Sequence, residues 1–214
     1  MIGFVGGTGP EGRGLALRLA LAGETVAIGS RDATRAAEAA REILKSTPTT
    51  PVLGGFNEDV ARDSEIVFIS VPYVAQQDTL TAIKDNLTGK TVVSVVAPVS
   101  FSKGVATAVP VEEGSAALQA KAVLPDSRIV AAFQTISARD LLKPENPIDS
   151  DVIVCSDDED AKAEVSALAE KIEGVRAVDG GGLANAGYVE NFTALLMDIN
   201  RRYKAHSAIR IVGI

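Results

Sequence analysis

The sequence is poor in the residues on which disulfide and metal chemistry depend. Its 214 residues include one cysteine, Cys155, and one histidine, His206. A single cysteine cannot form an internal disulfide, and one Cys with one His cannot build a Cys/His metal cluster. We therefore expect neither a disulfide framework nor a bound metal.

Aromatic residues are scarce as well, because Phe, Trp and Tyr together make up 4% of the chain and Trp is absent. Recognition of single-stranded nucleic acid by stacking requires aromatic platforms. The chain has 28 acidic and 21 basic residues, a net charge of -7, which repels a polyanion but still permits one local phosphate site. No nucleic-acid partner is expected.

Long apolar runs are also missing. No stretch approaches the roughly 20 apolar residues that cross a bilayer, and the glycine-rich segment from Gly6 leaves no room for a signal peptide. Hydrophobic residues nevertheless make up 46% of the chain, enough for a packed core. We expect a folded cytoplasmic protein with no membrane partner.

Short apolar strands alternate with helical segments along most of the chain. Strands are expected at 2–5, 25–29, 65–71, 91–97, 128–134, 151–155 and 175–179, and helices at about 12–22, 32–45, 73–85, 114–124, 158–172 and 182–206. Continuous apolar strands are typical of parallel sheets buried on both faces. The pattern predicts an α/β protein with a Rossmann-type, doubly wound, mainly parallel sheet.

Two segments, 98–113 and 137–150, break this alternation with prolines and little periodicity. Both follow strands, so we expect them near the carboxyl edge of the sheet, where open α/β proteins bind ligands. Residues 1–214 are expected to form one domain, with a helical C-terminal extension over 182–214 that helps to close the site. Its wide apolar surface predicts a homodimer. That surface comprises Phe192, Leu195, Leu196, Ile199 and Tyr203.

A glycine-rich loop joins the first strand to the first helix, and residues 7–12 match the pattern G-x-G-x-x-G. In this context the pattern indicates a dinucleotide-binding loop. Gly7 permits the tight turn, Gly9 lets the backbone approach a pyrophosphate, and Gly12 lets helix and strand pack closely. The alternative is a glycine turn of purely structural use.

The other loop residues fit the same interpretation. Pro10 suits the first position of a helix, whose free N–H groups and dipole attract an anion. The Thr8 hydroxyl can add a hydrogen bond. Glu11 is an unfavourable neighbour for a phosphate, so we expect its side chain to face solvent or to pair with Arg13.

The end of the second strand predicts NADP rather than NAD. An NAD enzyme places a carboxylate there for the ribose 2′-hydroxyl, whereas this chain has Ser30 and Arg31, with Arg35 one helical turn further on. Two guanidinium groups and a hydroxyl suit a 2′-phosphate. Asp32 is expected to cap the following helix. The alternative is that both arginines are ordinary surface charges.

No proton relay is evident. Alcohol and ketone dehydrogenases use His with a carboxylate, or Tyr with Lys, but His206 is expected at the surface and no Tyr-x-x-x-Lys occurs. The acidic cluster 157–160 is better explained by helix capping than by a metal site. Hydride exchange between two redox coenzymes needs mainly positioning and exclusion of water, so the absence of a relay favours it.

An ordered set of motifs resembles one family, the NADPH-dependent reductases of coenzyme F420, an 8-hydroxy-5-deazaflavin. The motifs run along the whole chain: G-G-T-G (6–9), G-L-A-L-R-L-A (14–20), G-S-R (29–31), N-E-D (57–59), V-P-Y (71–73), A-P-V-S (97–100), Q-T-I (134–136), C-S-D-D (155–158) and L-x-N…V-E-N-x-T (183–193). The resemblance implies a Rossmann fold, NADP and F420 as the two coenzymes, and a homodimer.

The resemblance also implies roles for particular residues. Residues 8–11 would cradle the pyrophosphate, and Ser30, Arg31 and Arg35 would hold the 2′-phosphate. The nicotinamide ribose side would be lined by Val71, Tyr73, Ala97 and Ala138. The deazaflavin would stack near Ala97, Pro98, Gln134 and Ile136, with the C-terminal helix around Asn185 closing the site.

In this interpretation Gln134 and Ile136 position the rings, and no residue is assigned as a catalytic acid or base. Archaeal members resemble His-Thr-Ile-Pro where this chain has Gln134-Thr135-Ile136-Ser137. Glutamine can donate a hydrogen bond to a ring carbonyl but does not titrate near neutral pH. Alternatively, Gln134 is a strand-end residue that binds nearby backbone.

Three functions are therefore compared. The first is reversible hydride transfer between NADP(H) and F420, and the second is NADPH-dependent reduction of a flavin or of a small imine or ketone. The third is a non-catalytic NADP-binding sensor. Turnover with a deazaflavin, turnover with other acceptors only, and binding without turnover distinguish them.

Overall fold

The computed structural model describes all 214 residues. The strands are β1 (Ile2–Val5), β2 (Val26–Ser30), β3 (Val52–Phe56), β4 (Ile66–Ile69), β5 (Thr91–Ser94), β6 (Val99–Ser102), β7 (Val105–Ala108), β8 (Arg128–Ala131), β9 (Ser150–Ser156) and β10 (Val175–Asp179). The helices are α1 (Pro10–Leu21), α2 (Ala33–Leu44), α3 (Asn57–Asp63), α4 (Tyr73–Leu87), α5 (Ala116–Val123), α6 (Ala138–Leu141), α7 (Glu159–Glu170) and α8 (Ala186–Tyr203).

Eight strands form one sheet in the order β10-β9-β8-β5-β4-β1-β2-β3. The six strands from β3 to β8 in this order are parallel to one another. Strand β9 runs antiparallel to β8 and parallel to β10. The order β3-β2-β1-β4-β5-β8 is the Rossmann order, which confirms the predicted fold class and places the ligand crevice where the winding reverses beside β1.

Helices cover both faces of the sheet, so its strands are buried on both sides. One apolar cluster packs α1, α2 and α7 against the sheet through residues such as Leu15, Ala36 and Val165. A second cluster packs α4, α5 and the start of α8 through Leu80, Ala117 and Val189. This two-sided burial explains why apolar and polar residues do not alternate along the central strands. None of the helices is both long and apolar enough to span a bilayer.

Two of the strand regions differ from the sequence-based expectations. Strand β3 was not expected, because V-L-G-G-F is largely exposed at the sheet edge. A side chain at Gly54 would lie 2.6 Å from the backbone of Ala36 in α2, so the glycine weakens the strand pattern but allows close packing. The segment 98–113, expected as a loop, forms a hairpin of β6 and β7. Lys103 and Gly104 both have positive φ, which suits a tight hairpin turn.

The predicted C-terminal helix is also shorter than expected. Residues Leu183–Asn185 form a 3-10 turn and α8 ends at Tyr203, where Lys204 adopts the left-handed conformation with φ 51°. This turn stops the helix and redirects the chain. The residues from 204 onward therefore form an extended segment that runs back toward the sheet.

Candidate functional site

A cavity of about 1040 Å³ lies at the carboxyl edge of the parallel strands. Its volume is at the upper end of the range for one small ligand, roughly 300–1,000 Å³, and so leaves room for parts of two. It brings together most of the residues singled out from the sequence. Those lining it are Thr8, Gly9, Pro10, Glu11, Ser30, Arg31, Arg35, Val71, Tyr73, Ala97, Gln134, Ile136 and Ala138.

The three loop glycines have different surroundings. A Cβ at Gly7 would lie 2.7 Å from Phe4, and one at Gly12 would lie 2.6 Å from the Ser70 Oγ. At both positions the surrounding protein leaves no room for a side chain, and neither residue lines the cavity. A Cβ at Gly9 would meet no atom within 4 Å. At Gly9 the bare backbone faces open cavity, where a ligand could approach it closely.

Helix α1 begins at this loop and leaves an uncapped N-terminus in the cavity. Gly9 is its N-cap and supplies no side-chain hydrogen bond, and Pro10 occupies the first helical position. The first backbone N–H groups of a helix have no partner within it. Together with the helix dipole they form a site suited to an anion.

The structure differs from the expectation that the Glu11 side chain faces solvent or pairs with Arg13. Its Oε1 is buried without a hydrogen-bond partner, and so is the Nε of Arg13. Burial raises the pKa of Glu11 to about 8. At neutral pH the carboxyl is therefore largely protonated, and a neutral acid does not repel a nearby pyrophosphate as a carboxylate would.

The cavity end beside β2 is cationic. Arg31 and Arg35 line it and form no ion pair within the chain. Asp32 is occupied as the N-cap of α2, where its Oδ1 accepts from the backbone N–H of Thr34 at 2.9 Å, as predicted. Two guanidinium groups are thus left available for an anionic group at this end.

Gln134 lies in the middle of the cavity wall and is 6% exposed. Its Nε2 donates to the backbone carbonyl of Ser94 at 2.9 Å, and its Oε1 is buried without a partner. Sequence reasoning suggested a donor toward a ring carbonyl, whereas this geometry leaves an acceptor free. A buried polar atom without a partner costs about 1–3 kcal/mol, so it marks a place where a ligand N–H or O–H would be stabilised.

The backbone just before Gln134 is strained. Phe133 is buried and has φ 73°, a conformation that is unusual for a bulky residue. Its ring packs against Phe68 with the centroids 5.7 Å apart. The carbonyl of Gln134 accepts from the Thr193 Oγ1 on α8 at 3.0 Å. The Phe68 ring on one side and α8 on the other hold this turn in place. A strained backbone that its surroundings hold in place is typical of functional sites.

Pro98 and Asn185 do not line the cavity. The side chain of Asn185 instead donates to the carbonyl of Gly180, at the carboxyl end of β10. Helix α8 reaches the cavity further along, through Thr193, Leu196, Met197, Asn200 and Arg201. The family resemblance implied closure of the site around Asn185, whereas the residues of α8 that line the cavity begin about two turns further along the helix.

His206 is exposed, as the sequence predicted, and it also lines the cavity. It belongs to a segment from Lys204 to Ile211 that we name the strap. The His206 Nδ1 lies 3.0 Å from the Asp140 Oδ1 at the end of α6. Burial acts to raise the pKa of Asp140, but hydrogen bonds from His206 and Ser137, with nearby positive charge, hold it below the ordinary value.

Both ends of the strap are fastened. At one end, the N–H and Oγ of Ser207 donate to the Asn200 Oδ1 at 2.5 and 2.8 Å. At the other, the fully buried Asp151 accepts from the Ile211 N–H at 2.6 Å and from two arginine side chains. These donors, above all Arg176, hold the pKa of Asp151 far below its usual range. No short motif in the sequence indicates the contacts of Asp151, because its partners lie 25 to 60 residues away in the chain.

The acidic cluster 157–160 has structural partners. The Asp158 Oδ1 caps α7 by accepting from the Ala161 N–H at 2.8 Å, and the Asp157 Oδ1 accepts from the Leu183 N–H at 2.9 Å. No group of three or more His, Cys, Asp or Glu side chains is arranged as a metal site. Helix capping accounts for Asp158, and an ion pair with Lys162 accounts for Glu159.

Comparison with known proteins gives consistent findings. The family model described as NADP oxidoreductase, coenzyme F420-dependent, matches residues 1–98. The chain is 42% identical to the F420-dependent NADP reductase of Methanothermobacter marburgensis, covering 100% of this chain and 98% of that one. It is 39% identical to the F420-dependent NADP reductase of Methanocaldococcus jannaschii, again over 100% and 98% of the two chains.

Among solved structures, the chain resembles an Arthrobacter protein described as an F420-dependent NADP-reductase. The TM-score is 0.84 at 27% identity, with 99% of each chain covered. A Plasmodium falciparum pyrroline carboxylate reductase with NADP bound has a TM-score of 0.55 at 17% identity and covers 94% of this chain and 69% of that one. The second likeness concerns the fold alone.

Proposed function

The chain belongs to the family of F420-dependent NADP reductases, and we propose that the cavity at its sheet edge is where hydride passes between NADP(H) and coenzyme F420. The activity is that of an oxidoreductase acting on these two coenzymes. We assign the reaction to this cavity because of the groups that line it. It combines a cationic end, an uncapped helix N-terminus with open backbone at Gly9, and a buried acceptor at Gln134.

We assign the dinucleotide to the half of the cavity beside β1 and β2. The N-terminus of α1 would bind the pyrophosphate, with Gly9 allowing close approach. Arg31 and Arg35, together with Ser30 at the end of β2, would hold the 2′-phosphate. A neutral Glu11 supports this arrangement, because a buried carboxylate at that point would oppose the phosphate charge.

The nicotinamide would then lie against the ends of β4 and β5, near Val71, Tyr73 and Ala97. The deazaflavin would face it from the side of Gln134 and Ile136. When bound, the two ring systems supply the hydride chemistry themselves. The protein holds the rings in contact, excludes water, and offers the Gln134 Oε1 as an acceptor for a ring N–H or O–H.

The test is an assay of the purified protein with NADPH and F420, followed through the absorbance of the deazaflavin. NADPH labelled with deuterium at the transferred position should deliver the label to F420 directly. FMN, FAD and riboflavin serve as comparison acceptors and should react far more slowly. Oxidation of NADPH with flavins alone, or binding of NADPH without any turnover, would contradict the proposal.

We also propose a homodimer, supported by the outer surface of α8. Of the apolar residues predicted to form this surface, Phe192, Leu195 and Tyr203 are exposed, whereas Leu196 is buried and lines the cavity. Val105 of the β6–β7 hairpin is exposed next to the helix. An apolar area of this kind on a folded chain indicates a protein partner. Light scattering at micromolar concentration should give twice the chain mass, and Leu195→Glu should shift it toward the monomer.

We also propose a cytoplasmic location, because the reaction exchanges hydride between two diffusible coenzymes. Cell fractionation should find the protein with cytoplasmic markers.

A further inference from the structure

The far end of the cavity, beside α6 and the strap, is also cationic. Arg139 and Lys204 line it and form no ion pair within the chain. Arg201 lines it too but is held by Asp198 at 2.9 Å. The only carboxylate residues in the cavity lining are Glu11 and Asp32, which belong to the opposite end. In a chain of net charge -7, such a concentration of positive charge indicates an anionic ligand group.

This end is too far from β2 to serve the same phosphate as Arg31. Arg139 follows β8 and Arg31 follows β2, and the sheet order separates these strands by β5, β4 and β1. Four strand spacings of about 4.8 Å amount to roughly 19 Å. The dinucleotide phosphates already have partners at α1 and at the end of β2. Arg139 and Lys204 therefore remain available to bind the second ligand.

The structure fixes the positions from which these side chains project. Arg139 lies on α6, and the carbonyls of Asp140 and Leu141 in this helix and of Lys143 just after it accept three hydrogen bonds of 2.6–2.9 Å from the buried Arg18. Helix α6 is thereby attached to α1. Lys204 takes its position from the left-handed turn at the end of α8, and the strap that follows is fastened to α6 by the His206–Asp140 contact.

We propose that Arg139 and Lys204 bind the anionic side chain of the deazaflavin substrate and distinguish it from neutral deazaflavins. The proposal rests on the function proposed above, because it requires the deazaflavin ring to lie near Gln134 and Ile136. From there, the side chain would extend toward α6 and the strap. His206, held by Asp140, lines the same end of the cavity.

The test compares two deazaflavins that share one ring system. Coenzyme F420 has a side chain with a phosphate and carboxylates, whereas 8-hydroxy-5-deazariboflavin has neither. The variants are Arg139→Gln, Lys204→Gln and the double variant. Glutamine keeps a long polar side chain and, at position 204, makes the same demand on a backbone with φ 51°. Lys84→Gln is the matched control, because Lys84 is exposed, unpaired and outside the cavity.

Each single variant should raise the KM for F420 about threefold to tenfold, the effect of losing one partly exposed contact to an anion, and the double variant should raise it further. The KM for 8-hydroxy-5-deazariboflavin and for NADPH should not change, nor should any value in Lys84→Gln. For the wild type, added salt should raise the KM for F420 but not for the neutral analogue.

Equal shifts for both deazaflavins, a raised KM for NADPH, or no shift at all would overturn the proposal. Absence of turnover with either deazaflavin in the wild type would instead refute the proposed function. In that case fluorescence titration of F420 binding to the wild type and the variants still decides the role of the two cations. Weaker binding in the double variant supports it, and equal binding overturns it.

Discussion

The two walls of the cavity are built in different ways. The loop wall, residues 6–11 and 30–35, consists mainly of backbone at the ends of β1 and β2. The strap wall, residues 134–139 and 193–207, consists mainly of side chains brought together from β8, α6, α8 and the strap. The loop wall needs only a few residues with the right conformational freedom. The strap wall needs contacts such as His206–Asp140 and Thr193–Gln134, each of which joins distant parts of the chain.

This difference predicts where substitutions act. At positions of the loop wall that face the open cavity, such as Gly9, a substitution should change ligand binding and leave the fold intact, because no atom of the protein lies within 4 Å of the added Cβ. In the strap wall the same residues support both the structure and the site. Substitutions there should affect stability and the second coenzyme together, with less effect on NADPH.

The largest effect is expected for Gly9→Val in the loop wall. The new side chain would enter the open space in front of α1, where the pyrophosphate is proposed to bind, so NADPH binding should be abolished. Valine is a poor N-cap, which costs α1 about 1 kcal/mol, but its Cβ would have no atom of the protein within 4 Å. Fluorescence titration with NADPH and thermal unfolding measure the two consequences separately.

Gly55→Val is the control, since a Cβ at Gly55 in β3 also meets nothing within 4 Å and Gly55 does not line the cavity. It should bind NADPH like the wild type. Normal NADPH binding by Gly9→Val would show that the loop is only a structural turn and that the comparison between the walls is wrong.

The same contrast explains what the sequence could predict. The spacing of Gly7, Gly9 and Gly12 reflects requirements of the backbone that are local, so the loop and the first βαβ unit are evident from the sequence. Apolar strand runs likewise predict the Rossmann sheet, and the family motifs predict the coenzymes. The Asp32 cap was predicted for the same reason, because it depends on neighbours two and three residues away.

The strap wall could not be predicted in this way. The position of His206 depends on the left-handed turn at Lys204 and on Asp140, which lies 66 residues away in the chain. Amphipathic periodicity also extended the last helix through 206, although α8 ends at Tyr203. The burial of Glu11 depends on atoms from other elements, so its raised pKa has no signal in the local sequence.

Arg18→Met tests the claim that the strap wall is tied into the core. Arg18 is 4% exposed and donates to three carbonyls of α6 and the residues after it. Methionine keeps the helix propensity but leaves these buried acceptors without partners, so the free energy of unfolding should fall by about 3 kcal/mol. Chemical denaturation measures it.

The matched control is Arg62→Met on α3, where the guanidinium is exposed and pairs with Asp59 and Asp63. Exposed ion pairs contribute about 0–1 kcal/mol, so this variant should unfold nearly like the wild type. Similar losses for both arginines would indicate that Arg18 does not anchor α6.

Glu190 gives the strap wall a dependence on pH. Its carboxyl oxygens accept from the N–H groups of Ala116 and Ala117 at 2.7 and 3.0 Å, which attaches α8 to the start of α5. Burial outweighs these bonds and raises the pKa of Glu190 from 4.5 to about 7. Because the folded pKa lies above the unfolded one, this group's stabilisation is complete below pH 4.5 and is lost as the pH rises through about 7.

We expect the free energy of unfolding contributed by Glu190 to fall by about 3 kcal/mol across that window. Glu190→Gln is neutral throughout, so the difference between wild type and variant isolates this carboxyl from the others. Denaturation at about pH 5 and about pH 8 should show the two proteins converging at the lower value. A constant difference between them would contradict the raised pKa.

Arg31→Ala returns to the loop wall and should act on one coenzyme only. Loss of a charged contact to the 2′-phosphate should weaken NADPH binding by about 1.5–3 kcal/mol and leave NADH binding nearly unchanged. Arg62→Ala removes the same charge from α3 outside the cavity and should change neither. Equal losses for NADPH and NADH would place Arg31 away from the 2′ position.

The smallest effect is expected at Gln134 in the strap wall. With no general acid required, removing its side chain takes away one hydrogen bond to the ring and should lower kcat about ten- to a hundredfold. Losing an essential acid or base would commonly cost about 10²–10⁴-fold. Gln76→Ala is the control, because Gln76 is also a buried glutamine whose Nε2 donates to a backbone carbonyl, that of Ala116, and it does not line the cavity. It should lose stability without a change in kcat.

In Gln134→Ala, deuterium from labelled NADPH should still reach F420 directly, because the free Oε1 orients the ring and does not carry a proton for the reaction. Complete loss of turnover in a folded Gln134→Ala protein that binds NADPH normally would give this residue an essential chemical role and assign the catalysis to the strap wall.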